Sequence, residues 1–268
     1  MEISYERGEW RKKVSNEAKL RGYSDKTISN YLYNIGRFLK SGIEFKDYLL
    51  RLIDSKKSAN TIRSVGFAIK FYYKVMGEDE GKDLIIPNFK KENKLPVVLS
   101  KIEIGKMIKS TNNLNHRLII QIGYAAGLRA SEIINLKWED IDFFRNVIHI
   151  KSGKGKKDRV LMLSPKIKKG LKALTDERMG FIFLTNRAKK YSLRSIELIV
   201  ETAKKKVGIN KKVTPHTLRH SFATHLIEDG IDILHVQKLL GHSDVSTTMI
   251  YTKVSNKDLI KIKSPIDL

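Results

Sequence analysis

The chain has 268 residues, with 52 Lys and Arg against 29 Asp and Glu, a formal charge of +23, and no cysteine. With 41% hydrophobic residues it can bury real cores, so a disordered basic tail is excluded as the whole molecule. The missing thiols exclude disulfides, thiolate metal sites, iron–sulfur clusters and Cys nucleophiles, and a field this positive points to an anionic partner, nucleic acid ahead of an anionic membrane.

The opening MEISYERGEWRKK is charged from its second residue and lacks a secretory-signal pattern. A helix is expected within residues 5 to 20. Next, Ile28, Tyr31, Leu32, Ile35, Phe38 and Leu39 follow helical spacing after Ser24, an expected N-cap. A helix over Phe45 to Ile53 follows, then one carrying Ile62, Val65, Ile69, Tyr72, Tyr73 and Met76, with Gly77 placed to end it in a left-handed cap. Pro87 and Pro96 then bracket NFKKENK, which reads as an extended, solvated linker. The expected division is 1–84 as a helical bundle, 85–97 as linker and 98–268 as a second domain that holds most of the excess charge.

In that second part, Ser100 and Glu103 form a capping-box pattern, and an apolar helix runs from about Asn115 to Ala126 and stops at Gly127. Its longest uncharged stretch, Leu118 to Leu128, falls short of the ~20 residues that span a bilayer. Basic residues are spread along the chain rather than gathered on one amphipathic helix, so a soluble cytoplasmic, nucleoid-associated protein with no membrane partner is expected. NVIHIKSG and DRVLML read as two strands joined by a hairpin tip at SGKGKK, and Phe181 to Leu184 is a candidate third strand. Helices are expected after Ser164, Ser192 and Thr214, two of them opening on Pro. The fold class is therefore mainly α: an N-terminal helical bundle, then a mostly α domain with a small antiparallel β-sheet.

Four segments carry candidate chemistry: AGLRASE around Arg129, SGKGKKDR around Lys154, TPHTLRHSFATHL around His216 and Arg219, and LLGHSDVSTTMIYTK around His242 and Tyr251. Arg129 follows a helix-ending Gly-Leu and can project from a rigid corner, although an exposed salt bridge to Glu132 would explain it equally well in isolation. Lys154 stands between two glycines, where a hairpin tip can carry its ammonium into a groove. His216, Arg219 and His220 fall at the start of a helix, whose free N–H groups favour an anion. His216 and His220 also have the i, i+4 spacing of a zinc helix, but Thr217 stands where the metalloprotease motif needs Glu, so no metal is expected. His225 reads as structural. Tyr251, alone, reads as a half-buried aromatic; beside Arg, Lys and His it becomes a usable nucleophile toward phosphate. Two arginines can clamp the nonbridging oxygens of a phosphodiester and stay charged, while His216, His242 and Lys154 can supply hydrogen bonds and protons.

At these residues the sequence resembles the tyrosine recombinase, or phage-integrase, family. GLRASE, GKGKKDR, HTLRHSFATHL and LLGHS followed by IYT present Arg129, Lys154, His216, Arg219, His242 and Tyr251 in the family's order. The likeness covers roughly Leu99 to Tyr251; the first part matches the family's SAM-like core DNA-binding domain only in size and period. The resemblance implies that Arg129 and Arg219 hold the scissile phosphate, Tyr251 attacks it, Lys154 protonates the leaving 5′ oxygen, His216 assists proton transfer, His242 hydrogen-bonds the phosphate and Glu132 supports the site. It implies a clamp around duplex DNA and strand exchange at a recombination site by a homo-tetramer through a Holliday junction, without metal or nucleotide cofactor. A tail after Tyr251, with Leu259, Ile260, Ile262 and Ile266, would pack on a neighbouring subunit. The two-domain plan, lacking the arm-binding domain of lambda-type integrases, is similar to Xer recombinases, which resolve chromosome dimers; the Lys- and Ile-rich composition is compatible with an archaeal member. A mobile-element integrase, a type IB topoisomerase-like nicking-closing enzyme and a noncatalytic DNA binder are the competing readings.

Overall fold

The computed structural model describes residues 8–78, 84–88, 95–151, 158–175, 178–252 and 254–255, and the chain divides into two units, 1–93 and 94–268. Among the described residues, four helices build the first: α1 (Glu9–Leu20), α2 (Asp25–Ser41), α3 (Phe45–Asp54) and α4 (Ala59–Met76). Their limits are local chemistry. Ser24 and Ser58 accept hydrogen bonds from the N–H groups of Thr27 and Thr61, and Gly42 and Gly77 end α2 and α4 in the left-handed conformation that side chains disfavour. The core is strongly aromatic, with Trp10 edge-on to Tyr72 at 6.1 Å and Phe38 packed against Tyr48 and Tyr73.

The segment 84–88 departs from the expected solvated linker. Leu84 and Ile86 pack on the first core, Ile86 lies against Gly66 of α4, where an added Cβ would meet it at 3.2 Å, and Lys70 Nζ donates to the Leu84 carbonyl at 3.0 Å. Alternating apolar residues let an extended segment cover the bare backbone that a helical glycine leaves.

In the second unit, Ser100 and Glu103 form the expected capping box at the start of α5 (Lys101–Lys109). The apolar α6 (Leu114–Ala125) forms the centre, with Leu118, Ile119, Ile120 and Ile122 all buried. After it come α7 (Ala130–Asn135), a short 3-10 helix (Trp138–Asp140), strands β1 (Ile141–Asp142), β2 (Val147–Ile150) and β3 (Arg159–Met162), then α8 (Pro165–Lys172), α9 (Leu193–Lys206), α10 (Pro215–Glu228), α11 (Ile233–Leu240) and α12 (Ser246–Thr252). The sheet is antiparallel in the order β1-β2-β3, with Ile148 opposite Ile141 and Leu161.

The candidate third strand at Phe181 to Leu184 is corrected: Phe181 and Leu184 make only isolated bridges, to Lys137 and Lys190, and the third strand is β1. Asp142 Oδ1 accepts from the N–H groups of Phe144 and Arg145, and Asn146 adopts a φ of 55°, which folds β1 tightly back onto β2. Among the described residues no helix is long and apolar enough to cross a membrane.

Candidate active site

Arg129 occupies the N-cap of α7, just after Gly127 turns the chain at a φ of 59°. A side chain at 127 would collide with the Phe222 ring, so this corner needs glycine both for its conformation and for its closeness to α10. Three residues on, Glu132 accepts from the Arg129 N–H at 2.8 Å and from its guanidinium at 3.0 Å. The salt bridge considered from sequence exists, but it is one arm of a larger arrangement. The same carboxylate takes both terminal nitrogens of Arg159, at 3.0 and 2.8 Å, while Arg159 Nε donates to the Leu239 carbonyl at 2.8 Å. Glu132 thus anchors two arginines. Burial works against its charge, but the Arg159 and Arg129 hydrogen bonds and their positive charges win and hold its pKa down to about 2.

Arg219, in the second turn of α10, is buried, with its guanidinium held by the carbonyls of Gly127 and Leu240, each at 2.6 Å. Burial, with Arg129 nearby, lowers its pKa to about 10, so it stays charged at neutral pH. Its Nη2 also lies 3.0 Å from His242 Nε2. A guanidinium can only donate, so His242 Nε2 accepts; its Nδ1 then carries the proton and donates to Thr248 Oγ1 at 2.9 Å. Burial and the surrounding arginines lower the His242 pKa to about 4, in keeping with this neutral tautomer. Both ring nitrogens of His242 are thus hydrogen-bonded within the protein, to Arg219 and to Thr248.

Tyr251, on α12, is 2% exposed. Its ring stacks on His242 at 6.4 Å between centroids, and its hydroxyl lies 3.0 Å from His220 Nδ1. The sequence argument expected basic neighbours to activate this phenol. In this state burial dominates and raises its pKa, with Arg219 and Arg129 pulling the other way. His216, one turn before His220 on α10, has a ring 6.3 Å from it and a pKa lowered by burial, Arg219 and Arg129.

Six of the seven residues singled out from sequence, Arg129, Glu132, His216, Arg219, His242 and Tyr251, therefore fall in one linked constellation; Lys154, at the SGKGKK tip, lies outside the described residues, as does the tail after Asn256. His225 is paired with the Tyr124 hydroxyl at 2.9 Å. Among the described residues, no three His, Asp or Glu side chains group as a metal site. Sequence reasoning missed Arg159, and it placed His220 beside His216 and Arg219 at the start of a helix without linking it to Tyr251. Strand alternation carried a signal for Arg159, since it shares the inward face of β3 with Leu161, and an inward arginine demands a carboxylate. The arrangement offers two fixed cations, a buried phenol and neutral imidazoles, a set suited to attack on a phosphodiester.

Residues 97–258 match the phage integrase family model. The chain is 41% identical over 254 residues to tyrosine recombinase XerA of Pyrococcus horikoshii, covering 90% of this chain and 87% of that one. To tyrosine recombinase XerA of Pyrococcus furiosus it is 39% identical over 256 residues, covering 90% and 88%. The crystal structure of a XerA recombinase superposes with a TM-score of 0.57 at 26% identity, covering 95% of this chain and 99% of that one.

Proposed function

The chain belongs to the phage integrase family and is a tyrosine recombinase, and on that footing we propose that it performs Xer-like site-specific recombination on double-stranded DNA with Tyr251 as nucleophile. Arg129 and Arg219 bind the nonbridging oxygens of the scissile phosphate through charge-assisted hydrogen bonds. Tyr251 attacks the phosphorus, a 3′-phosphotyrosyl bond forms, and the 5′ oxygen leaves with a proton from Lys154. The new bond is similar in energy to the one broken, so rejoining needs no nucleotide. His216 assists proton transfer, while His242 and Glu132 hold the arginines in place.

The observation that carries this reading is the placement of Tyr251: its ring lies on His242, which holds Arg219, so the nucleophile and one phosphate ligand are positioned by the same side chain. The finer assignment is a homo-tetramer that joins two duplexes through a Holliday junction, acting on the nucleoid in the cytoplasm and resolving chromosome or plasmid dimers. The two XerA relatives, of similar length, support the Xer role over a mobile-element integrase.

The test is a covalent-adduct assay in EDTA on nicked duplexes drawn from the source chromosome and its mobile elements. The wild type is expected to form an adduct on a defined inverted-repeat site, and Tyr251→Phe to bind that site without forming one. An adduct that needs Mg²⁺, or one retained by the Phe variant, overturns the mechanism.

A further inference from the structure

The sequence pattern groups His220 with His216 and Arg219 at the start of a helix but gives it no part in the chemistry of Tyr251. Tyr251 Oη lies 3.0 Å from His220 Nδ1, with the two ring centroids 5.6 Å apart, and the phenol is buried at this contact. His216 is the acid/base candidate by sequence, but among the described residues the phenol's hydrogen bond goes to His220. A neutral phenol is more acidic than a neutral imidazole N–H, so the phenol donates and Nδ1 accepts, which places the His220 proton on Nε2.

We propose that His220 is a further catalytic residue, the group that takes the phenolic proton of Tyr251 as it attacks the scissile phosphate and returns it when the tyrosine departs in rejoining; this rests on the recombinase reading of the same site. In cleavage the Oη–P bond forms and the P–O5′ bond breaks. The Oη proton passes to His220 Nδ1, leaving an imidazolium, and O5′ receives a separate proton from Lys154. Rejoining runs the same transfers backward, so each cycle leaves His220 neutral.

The surroundings fit this role. His216 and Arg219 face His220 from its own helix, Tyr251 from α12, and His242 from the segment before α12. Burial, with His216 and Arg219 nearby, lowers the His220 pKa to about 4, so its lone pair is free at neutral pH. With the phenol raised, complete transfer in the free protein is uphill. The negative charge of a docked phosphate offsets the imidazolium, so proton transfer is coupled to DNA binding and no phenolate builds up beforehand.

The closing experiment uses the full chain and a nicked duplex fragment on which the wild type forms its adduct. His220→Gln keeps an acceptor for the phenol but cannot take up the proton, and adduct formation is expected to slow by about 100-fold or more, within the range of a lost general base. The second assay uses a DNA end carrying a 3′-p-nitrophenyl phosphate, joined to a 5′-hydroxyl strand in the Tyr251→Phe background. p-Nitrophenolate leaves without a proton, so adding His220→Gln should change that rate by less than about threefold. Equal losses in the two assays mean a scaffolding role and overturn the proposal, as does a His220→Gln chain that forms the adduct at the wild-type rate. A wild type that forms no adduct overturns the recombinase reading and this proposal with it. Without DNA, ¹⁵N imidazole spectra of the free chain should show His220 as the Nε2–H tautomer, altered by Tyr251→Phe; an Nδ1–H tautomer contradicts the pairing.

Discussion

The two units bury different things. Among the described residues, every buried polar or charged side chain, including Asp140, Arg159, Thr217, Arg219 and His225, belongs to residues 94–268, and so do all seven histidines. The first unit holds its helices together with Trp10, Phe38, Tyr48, Tyr72 and Tyr73. Among the described residues, the first unit buries aromatic and aliphatic side chains and no ionisable Asp, Glu, Lys, Arg or His, while the other keeps charged side chains such as Arg159 and Arg219 buried at a cost in stability. The units should therefore respond differently to the same perturbation.

The largest expected difference is in catalysis. Arg219→Ala removes a cation fixed by two carbonyls and should slow adduct formation by about 10²–10³-fold, the usual loss for one preorganised donor to a developing oxyanion. Duplex affinity, measured by gel shift, should change far less, because many other basic residues remain. A parallel loss of affinity would show that Arg219 serves binding instead.

Stability comes next. Glu132→Ala leaves Arg159 buried without its carboxylate and should cost about 3–5 kcal/mol in urea unfolding. Phe38→Ala in the first unit should cost a similar ~3–5 kcal/mol, by the different route of a cavity.

A smaller, pH-dependent difference should also appear. His220 and His242 have folded pKa values near 4 against an ordinary 6.5, so between those values the unfolded chain binds more protons. Their stabilising contribution is full above pH 6.5 and is lost as pH falls toward 4. Glu132, lowered to about 2 from 4.5, keeps its contribution above 4.5 and loses it toward 2. The chain's two tryptophans allow a direct check, as Trp10 reports the first unit and Trp138 the second. Fluorescence-monitored unfolding of Trp10→Phe should weaken between pH 6.5 and 4.5 much more than that of Trp138→Phe; equal slopes would show that the buried histidines do not control the second unit. The smallest effect is local: Ser24→Ala removes the α2 cap and should cost about 1 kcal/mol in the first unit only.

The sequence was most legible where interactions are short-range. Ser24, Gly77 and the Ser100–Glu103 box act within four residues of chain, so their types and spacing are enough to place helix ends. The sheet was legible at β2 and β3 and missed at β1, because two residues of strand carry no periodicity and are set by the Asp142 turn. At the site, the order of Arg129, His216, Arg219, His242 and Tyr251 identified the constellation, but not the pairings inside it.

Those pairings cross long stretches of chain: Arg159 meets Glu132, Arg219 meets the carbonyls of Gly127 and Leu240, and the Tyr251 hydroxyl meets His220. The sequence by itself determined most of the helices and several of their caps, the charge that calls for a polyanion, and a set of groups with the chemistry to attack a phosphate. Only the tertiary structure decided that Arg219 is locked, that burial raises the pKa of Tyr251, and that its hydroxyl pairs with His220. The physical reason is that a side chain's type is local, whereas its desolvation and its hydrogen-bond partner belong to whatever the fold packs against it.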